Sequence, residues 1–424
     1  MLKFIFKGLL RDKRRSVLPV IVVSIGVFLT VFMTGWLTGV FSDMVDMSAR
    51  FTTGHVRIMT RAYAENENQL PNDLALMGVD TMMPALKKKY PDMDWVARIR
   101  FGGLIDIPDP KGETRAQGQA IGLAVNLFDK ESNEAERLNI SNSIVKGHLP
   151  VKNGEALLSD DFATRFNVKP GDEMTIFGTT MNGSMMISTF KVSGTVRFGS
   201  AQLDRGAVII DLSDGRMAMD MQDAASEILG FSKNGEYDDA AASALKASFN
   251  KQFSRAEDEF SPLMKRLRDQ NDLDQYLKIG DNMSFIMIFV FVMAMSIVLW
   301  NTGLLGGLRR YTEFGIRLAL GEEKSHIYTT TLYEAILIGV MGSILGSMLG
   351  IGATWYLQEH GINLGNIMDN ATMMLPQTFR AKVSPKLFYI GFIPGTLAMV
   401  AGNALAGFAI YKRKTAKLFK ELEV

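Results

Sequence analysis

Four stretches of the chain carry no charged residue for 24 to 26 consecutive positions: 17–41, 283–308, 335–358 and 387–411. A helix needs about 20 residues to cross roughly 30 Å of hydrocarbon. Buried helices of soluble proteins are shorter and usually keep a polar face. The pattern therefore predicts an α-helical membrane protein with four transmembrane helices. Between the first and second of these lies a 241-residue excursion, 42–282, with its own alternation of strand and helix patterns. It is long enough for a globular domain or two subdomains. The expected fold is a large extracytoplasmic α+β domain: a membrane-proximal α/β unit with a β-rich insertion.

Within the excursion, strands are expected at 55–59 and at 95–107, the latter broken by Gly102-Gly103. A strand-then-helix follows at 154–166, and strands at 174–177 and 189–196 flank an Asn182-Gly183 turn. The remaining pattern reads as strand 207–211, helix 212–222, strand 227–231 and helix 238–253. Helices are also expected at 81–89 and after Pro262, a favourable first helical residue. Apolar positions Leu263, Met264, Leu267, Leu273, Tyr276 and Leu277 recur near helical spacing and lead into the second span past Gly280. They predict a continuous stalk helix. Small residues recur at Gly35 and Gly39, and at Gly342, Gly346 and Gly350, a spacing that lets helices pack closely in lipid.

Basic residues set the expected orientation. Six lie in the first 15 residues and five follow the last span, which places both termini in the cytoplasm. The divisions are then a cytoplasmic amphipathic helix at 1–16, spans at 17–41, 283–308, 327–358 and 387–411, a cytoplasmic segment at 309–326, an outer loop at 359–386 and a cytoplasmic tail at 412–424. In the first helix Leu2, Ile5, Phe6, Leu9 and Leu10 share one face, as in a helix lying on a membrane surface. The first apolar run is longer than a signal-peptide core and lacks a small-residue cleavage site, so it reads as an anchor.

Composition then removes whole classes of chemistry. The chain has no cysteine and four histidines, none at metal-ligand spacing, so no metal site is expected. The net charge of +1 gives no footprint for nucleic acid. The excursion carries 28 basic and 36 acidic residues, a net of −8. No Gly-Lys dipeptide occurs, hence no phosphate-cradling loop, and neither H-E-x-x-H nor G-x-S-x-G is present. The adjacent carboxylates Asp160-Asp161 and Asp238-Asp239 read as solvated. No catalytic or cofactor-binding residue is expected. Glu334, near the start of the third span, reads as a carboxylate paired with a nearby basic group. Trp36, Phe41, Met283 and Phe285, near the outer ends of the first two spans, are candidates for a membrane-facing substrate groove, with plain lipid contact as the alternative.

One segment stands apart. Arg309-Arg-Tyr-Thr-Glu313-Phe-Gly315-Ile-Arg317-Leu-Ala319-Leu-Gly321 reads as a short amphipathic helix closed by Gly321. It resembles the R-x-x-E-(I/F)-G-I-R-x-A-L-G-A signature of FtsX/MacB-like ABC transporter permeases of the mechanotransmission type. Arg310, Glu313, Gly315, Ile316, Arg317, Ala319, Leu320, Gly321 and the later Glu334 match it, while Glu322 stands where the family usually has alanine. The segments 147–159, 166–172 and 190–194 are similar to stretches of the outer domain in the same family. The run from Gly194 through Gly199 to Asp204 looks most like its lipoprotein-releasing LolC/LolE-like branch.

The resemblance implies a non-catalytic permease subunit in a bacterial inner membrane, with its large domain in the periplasm. It implies a second permease subunit and two copies of a cytoplasmic ATPase, which would hold the ATP and Mg that this chain does not. Seven of the matching residues, Arg310, Glu313, Gly315, Arg317, Ala319, Gly321 and Glu334, would form the ATPase-coupling site. Lipoprotein or amphiphile release is the expected activity. Antibiotic or peptide efflux and activation of a cell-wall hydrolase by a non-transporting signal transducer are the alternatives.

Overall fold

The computed structural model describes residues 13–129, 132–199, 203–270, 272–309, 316–363 and 378–411. The predicted surface helix at 1–16 falls mostly outside these, and the basic tail wholly so. The described residues fall into two compact units, one within 1–43, 276–362 and 379–424, the other within 44–275 and 363–378.

The first unit is helical. Three helices among the described residues are long and apolar enough to cross a membrane: Val17–Thr53, Lys324–His360 and Leu387–Leu405. Within the continuous helix Leu273–Arg309, the apolar stretch among the described residues is Phe285–Asn301.

The helices meet on one ridge. Val23, Val27 and Val31 of the first helix are fully buried. A Cβ added to Gly342 would stand 2.6 Å from Val23, one on Gly346 2.7 Å from Val27, and one on Gly350 2.8 Å from Val31. The glycine stripe of the third apolar helix therefore packs on the valine stripe of the first. Gly391 and Gly395, at the start of the last helix, press against Val27 with the same intimacy. Ser24 Oγ donates to the Gly342 carbonyl at 3.2 Å, and Thr30, Thr34 and Thr354 donate to carbonyls four residues back, while the buried Ser343 and Ser347 hydroxyls face Gly395 and Gly391 without a hydrogen-bond partner among the described residues.

The second unit is built on a ten-stranded sheet. Its strands are β1 (Val56–Thr60), β2 (Met93–Pro108), β3 (Thr114–Val125), β4 (Ile144–Gly147), β5 (Glu155–Ser159), β6 (Glu173–Thr179), β7 (Met185–Val196), β8 (Ala207–Asp211), β9 (Glu227–Ser232) and β10 (Pro262–Arg266). The first half of β2 pairs with β9, which leads through β1 to β10. Its second half enters a closed circuit, β2-β3-β8-β5-β7-β6 and back to β2. One long strand thus belongs to an open sheet and to a ring. The helices Val79–Lys89 and Asp239–Phe253 lie close to their expected bounds, and the expected helix at 212–222 stops at Ala218.

Two expectations need correction, and one strand was not anticipated. The strand β2 is not broken at Gly102-Gly103. Gly103 instead leaves room for the Phe177 carbonyl of β6, which a side chain would strike. The strand β3 carried no apolar alternation to read, because Gly118 and Gly122 stand where the rings of Phe162 and Phe101 pack. The stalk does not begin at Pro262. Residues 262–266 form the edge strand β10, and the helix starts only at Leu273, then runs unbroken through Gly280.

The free edge of β10 is chemically closed. The Arg61 N–H donates to the Ser261 carbonyl, so by antiparallel alternation residues 262, 264 and 266 turn their backbone groups outward. Pro262 has no N–H to offer. Met264 N–H donates to Asn250 Oδ1 at 2.8 Å, and its carbonyl accepts from Asn250 Nδ2 at 3.0 Å. Arg266 N–H donates to Asp269, and its carbonyl accepts from Gln270.

His55, just before β1, is buried and uncharged. Its Nδ1 accepts from the Ser232 N–H at 3.0 Å, and its ring packs edge-on to Phe231 and Tyr237. Burial, with the positive charges of Arg137 and Arg50, lowers its pKa from 6.5 to about 4.

Two measurements follow from this packing. Gly346→Leu must push the first helix away at Val27 and at the Ser24 carbonyl, and should cost about 1–3 kcal/mol, as overpacking does; unfolding of the purified protein in detergent reads it. For His55, the unfolded chain takes up a proton below about pH 6.5 and the folded chain only below about 4. Its contribution therefore falls as pH drops through that window, by about 2–3 kcal/mol between pH 7 and 4.5. His55→Asn, which can still accept from Ser232, should lose correspondingly less stability over the same interval.

Candidate functional site: the coupling segment and the outer helix ends

Arg310, Glu313 and Gly315 of the expected coupling segment lie outside the described residues. From Ile316 on the geometry is defined. Leu320 N–H donates to the Ile316 carbonyl at 3.0 Å, Gly321 N–H to Leu318 at 3.1 Å and Glu322 N–H to Arg317 at 3.0 Å. The last two bonds form a Schellman closure, which requires a left-handed residue at its turn. Gly321 supplies it with φ of 89°. The helix stop read from sequence is therefore present. Glu323 precedes the next helix, Lys324–His360, and its carboxylate accepts from Ser325 Oγ at 3.0 Å.

The surface of this segment is apolar and open. Ile316 and Leu320 are four residues apart, hence on one helical face, and are 58% and 83% exposed. Ala319 is exposed and Arg317 half-buried. Glu334 sits half-buried farther along the following helix. Two exposed aliphatic side chains on one face beside a fixed turn make a knob suited to burial in another protein.

At the other end of the helices, Trp36 and Phe41 are half-buried on the first, while Met283 and Phe285 are exposed on the second. Met283 and Phe285 are two residues apart and so fall on nearly opposite sides of their helix. They do not share one wall.

The structure places something else there that sequence reasoning missed. The segment 380–383 lies along the first helix. Lys382 N–H donates to the Gly35 carbonyl at 3.0 Å, Arg380 N–H to Asp43 at 3.2 Å and Lys382 Nζ to Ser42 Oγ at 3.3 Å. A Cβ on Gly39 would overlap the Arg380 carbonyl. Gly39 makes room for this strap, whereas Gly35 faces Thr354 of the helix Lys324–His360 and Leu387.

Charge in the second unit is unusually internal. Arg57, Arg98, Glu134 and Glu227 are essentially inaccessible. Arg57 Nη2 meets Glu227 at 2.5 Å and Nη1 meets Glu67 at 2.7 Å. Burial works against its charge, but the two carboxylates outweigh that and hold its pKa above the ordinary value. Burial likewise pushes Glu134 up, yet Arg98 at 2.6 Å and Arg137 outweigh it and hold Glu134 below the usual carboxylate range. Burial, aided by Glu227, raises Tyr63 to about 12.

The paired acids are not simply solvated. Asp160 is buried and accepts from Thr195 Oγ1 at 2.8 Å and Arg197 at 3.3 Å, because it opens a helix whose first turn faces β7. Asp238 caps the helix Asp239–Phe253, and Asp239 binds Arg266 and Arg268. Among the described residues no group of three or more His, Asp or Glu could hold a metal ion.

Comparison with known proteins gives this architecture its context. Residues 16–248 match the MacB-like periplasmic core domain, and residues 285–415 match the FtsX-like permease C-terminal domain. The lipoprotein-releasing system transmembrane protein LolC of Xylella fastidiosa is 22% identical over 294 residues, covering 67% of this chain and 65% of that protein. The chain thus spans about two thirds of the length of that relative. The periplasmic region of MacB from Actinobacillus actinomycetemcomitans aligns at 10% identity with a TM-score of 0.35, over 53% of this chain and 94% of that one. With the core-domain match spanning more than half of its length and the permease match following it, the chain belongs to the ABC-type permease family that joins a MacB-like periplasmic core domain to an FtsX-like permease domain.

Proposed function

We propose that this chain is the transmembrane subunit of an ABC complex that releases a lipoprotein or another amphiphile from the outer leaflet of the inner membrane. The observation that carries the reading is the knob at Ile316 and Leu320, fixed by the turn at Gly321 between two apolar helices. A separate ATPase, two copies per complex with ATP and Mg, would grip this knob together with Arg310, Glu313, Gly315, Arg317 and Ala319. The complex would contain a second permease subunit, identical or not. Helix Leu273–Arg309 would act as the fourth span, with both termini cytoplasmic and the second unit periplasmic. Movement at the coupling segment would travel outward along the first and second helices. The MacB-like core domain keeps efflux of an antibiotic or peptide as the second reading.

Reporter fusions test the topology. Fusions after Leu418 and near Glu323 should report cytoplasm, and one near Asn182 periplasm; an external signal at Glu323 overturns the four-span arrangement. Reconstitution with the ATPase tests the activity. ATP should drive a lipid-anchored protein from proteoliposomes to a soluble acceptor, and Leu320→Glu should reduce ATPase copurification by about tenfold or more, since burying that carboxylate costs over 1.4 kcal/mol. Because Leu320 is exposed, the variant should insert and fold normally. Wild-type copurification and full release would refute the knob, and ATP-driven movement of a small amphiphile alone would favour efflux.

A further inference from the structure

The first helix ends in a π-helical turn, Ala49–Thr53, and the second begins at Leu273. Helix ends leave backbone groups that need partners. At the end of the first, Gly54 N–H takes the Ala49 carbonyl at 2.9 Å and Arg98 Nη1 reaches the Phe51 carbonyl at 3.4 Å. The Thr53 carbonyl accepts from Gln270 Nε2 at 3.4 Å. That same residue serves the second helix, because its main-chain carbonyl accepts the Leu273 N–H at 3.0 Å. Gln270 is 1% exposed. Its Nε2 also donates to the Arg266 carbonyl at 3.1 Å, and its Oε1 accepts from the buried Arg57 at 3.2 Å. Every polar atom of the side chain is thus committed, and Arg57 is itself held by Glu227 and Glu67.

We infer that Gln270 is a positioning residue that clamps the outer end of the first helix to the start of the second, so that the two move as one piece. A side chain chosen only to fill this buried space would be apolar, since an amide there needs all its bonds made. Here the amide gives one helix end a donor while its backbone gives the other an acceptor. Arg57 fixes the orientation of the amide, because only the oxygen can face a guanidinium. The relay of movement rests on the function proposed above; the clamp does not.

The test uses the full chain, whose lack of cysteine allows clean labelling. Cysteines replacing Arg50 and Gln275, both exposed, carry spin labels in nanodisc-embedded protein. The wild-type residue at 270 should give one narrow distance. Gln270→Leu removes both amide functions. Gln270→Glu keeps an acceptor for Arg57 but cannot donate to the Thr53 and Arg266 carbonyls. Both should lose the single narrow distance, whereas a merely space-filling role predicts that the Glu variant, which keeps the shape of glutamine, retains it. A narrow distance retained in the folded Glu variant overturns the clamp. In the reconstituted complex, both variants should hydrolyse ATP while substrate released per ATP falls several-fold. A lost narrow distance with undiminished release overturns the relay through Gln270. Should the unsubstituted complex release nothing, the proposed activity fails while the distance measurement still decides the clamp.

Discussion

The helical unit depends on how closely backbone can approach backbone along Val23, Val27 and Val31. Lipid offers helices little hydrophobic incentive to associate, so contact area at short range has to hold them. Glycine at 342, 346 and 350 provides it on one flank of the ridge, and glycine at 391 and 395 on another. Two apolar helices therefore share one partner. The first helix cannot shift along its axis without taking valine methyls out of both sets of glycine notches. That makes it the reference element for the others and explains why its polar residues bond inside the layer rather than across open lipid.

The parts of this arrangement legible in the sequence are those with long or local signals. Charge-free runs of two dozen residues mark helices regardless of context, and Gly321 after an apolar turn marks a stop. The strand at Ala207–Asp211 was legible because four consecutive apolar residues, Ala207 to Ile210, stand between Gly206 and Asp211. What stayed hidden depended on distant partners. Gly118 and Gly122 replace the apolar residues that would have announced β3, since aromatic rings from elsewhere fill their places. Pro262 followed by Leu263 and Met264 fits a helix start or an edge strand equally, and only β1 decides between them. Gly39 looks like any close-packing glycine until the strap at 380–383 is seen. Of the candidate site, the turn at Gly321 could be read locally, whereas the clamp at Gln270 could not, because a glutamine after Asp269 carries no local mark of burial.

The internal charges were hidden for a related reason. Nothing local in the sequence marks Arg57 and Arg98 as buried, yet each is enclosed with a carboxylate. Such pairs contribute little net stability against an apolar alternative, but removing one partner typically costs about 3–5 kcal/mol. Their value here is directional. Arg57 and Arg98 each present a guanidinium toward the same helix end, one through Gln270 and one directly at Phe51. An aliphatic core could hold that end in place but could not specify its rotation.

The edge strand β10 has a consequence for life in a crowded envelope. An open strand edge is an invitation to aggregate, because any extended segment can add to its ladder. Here Pro262 removes one donor, Asn250 occupies both groups of Met264, and Asp269 and Gln270 occupy those of Arg266. Neighbouring copies pressed together on a membrane cannot zip their sheets along this border. Whatever association they make there must run through side chains, which keeps it reversible and spares the cell an irreversible cross-β seam between copies of the chain.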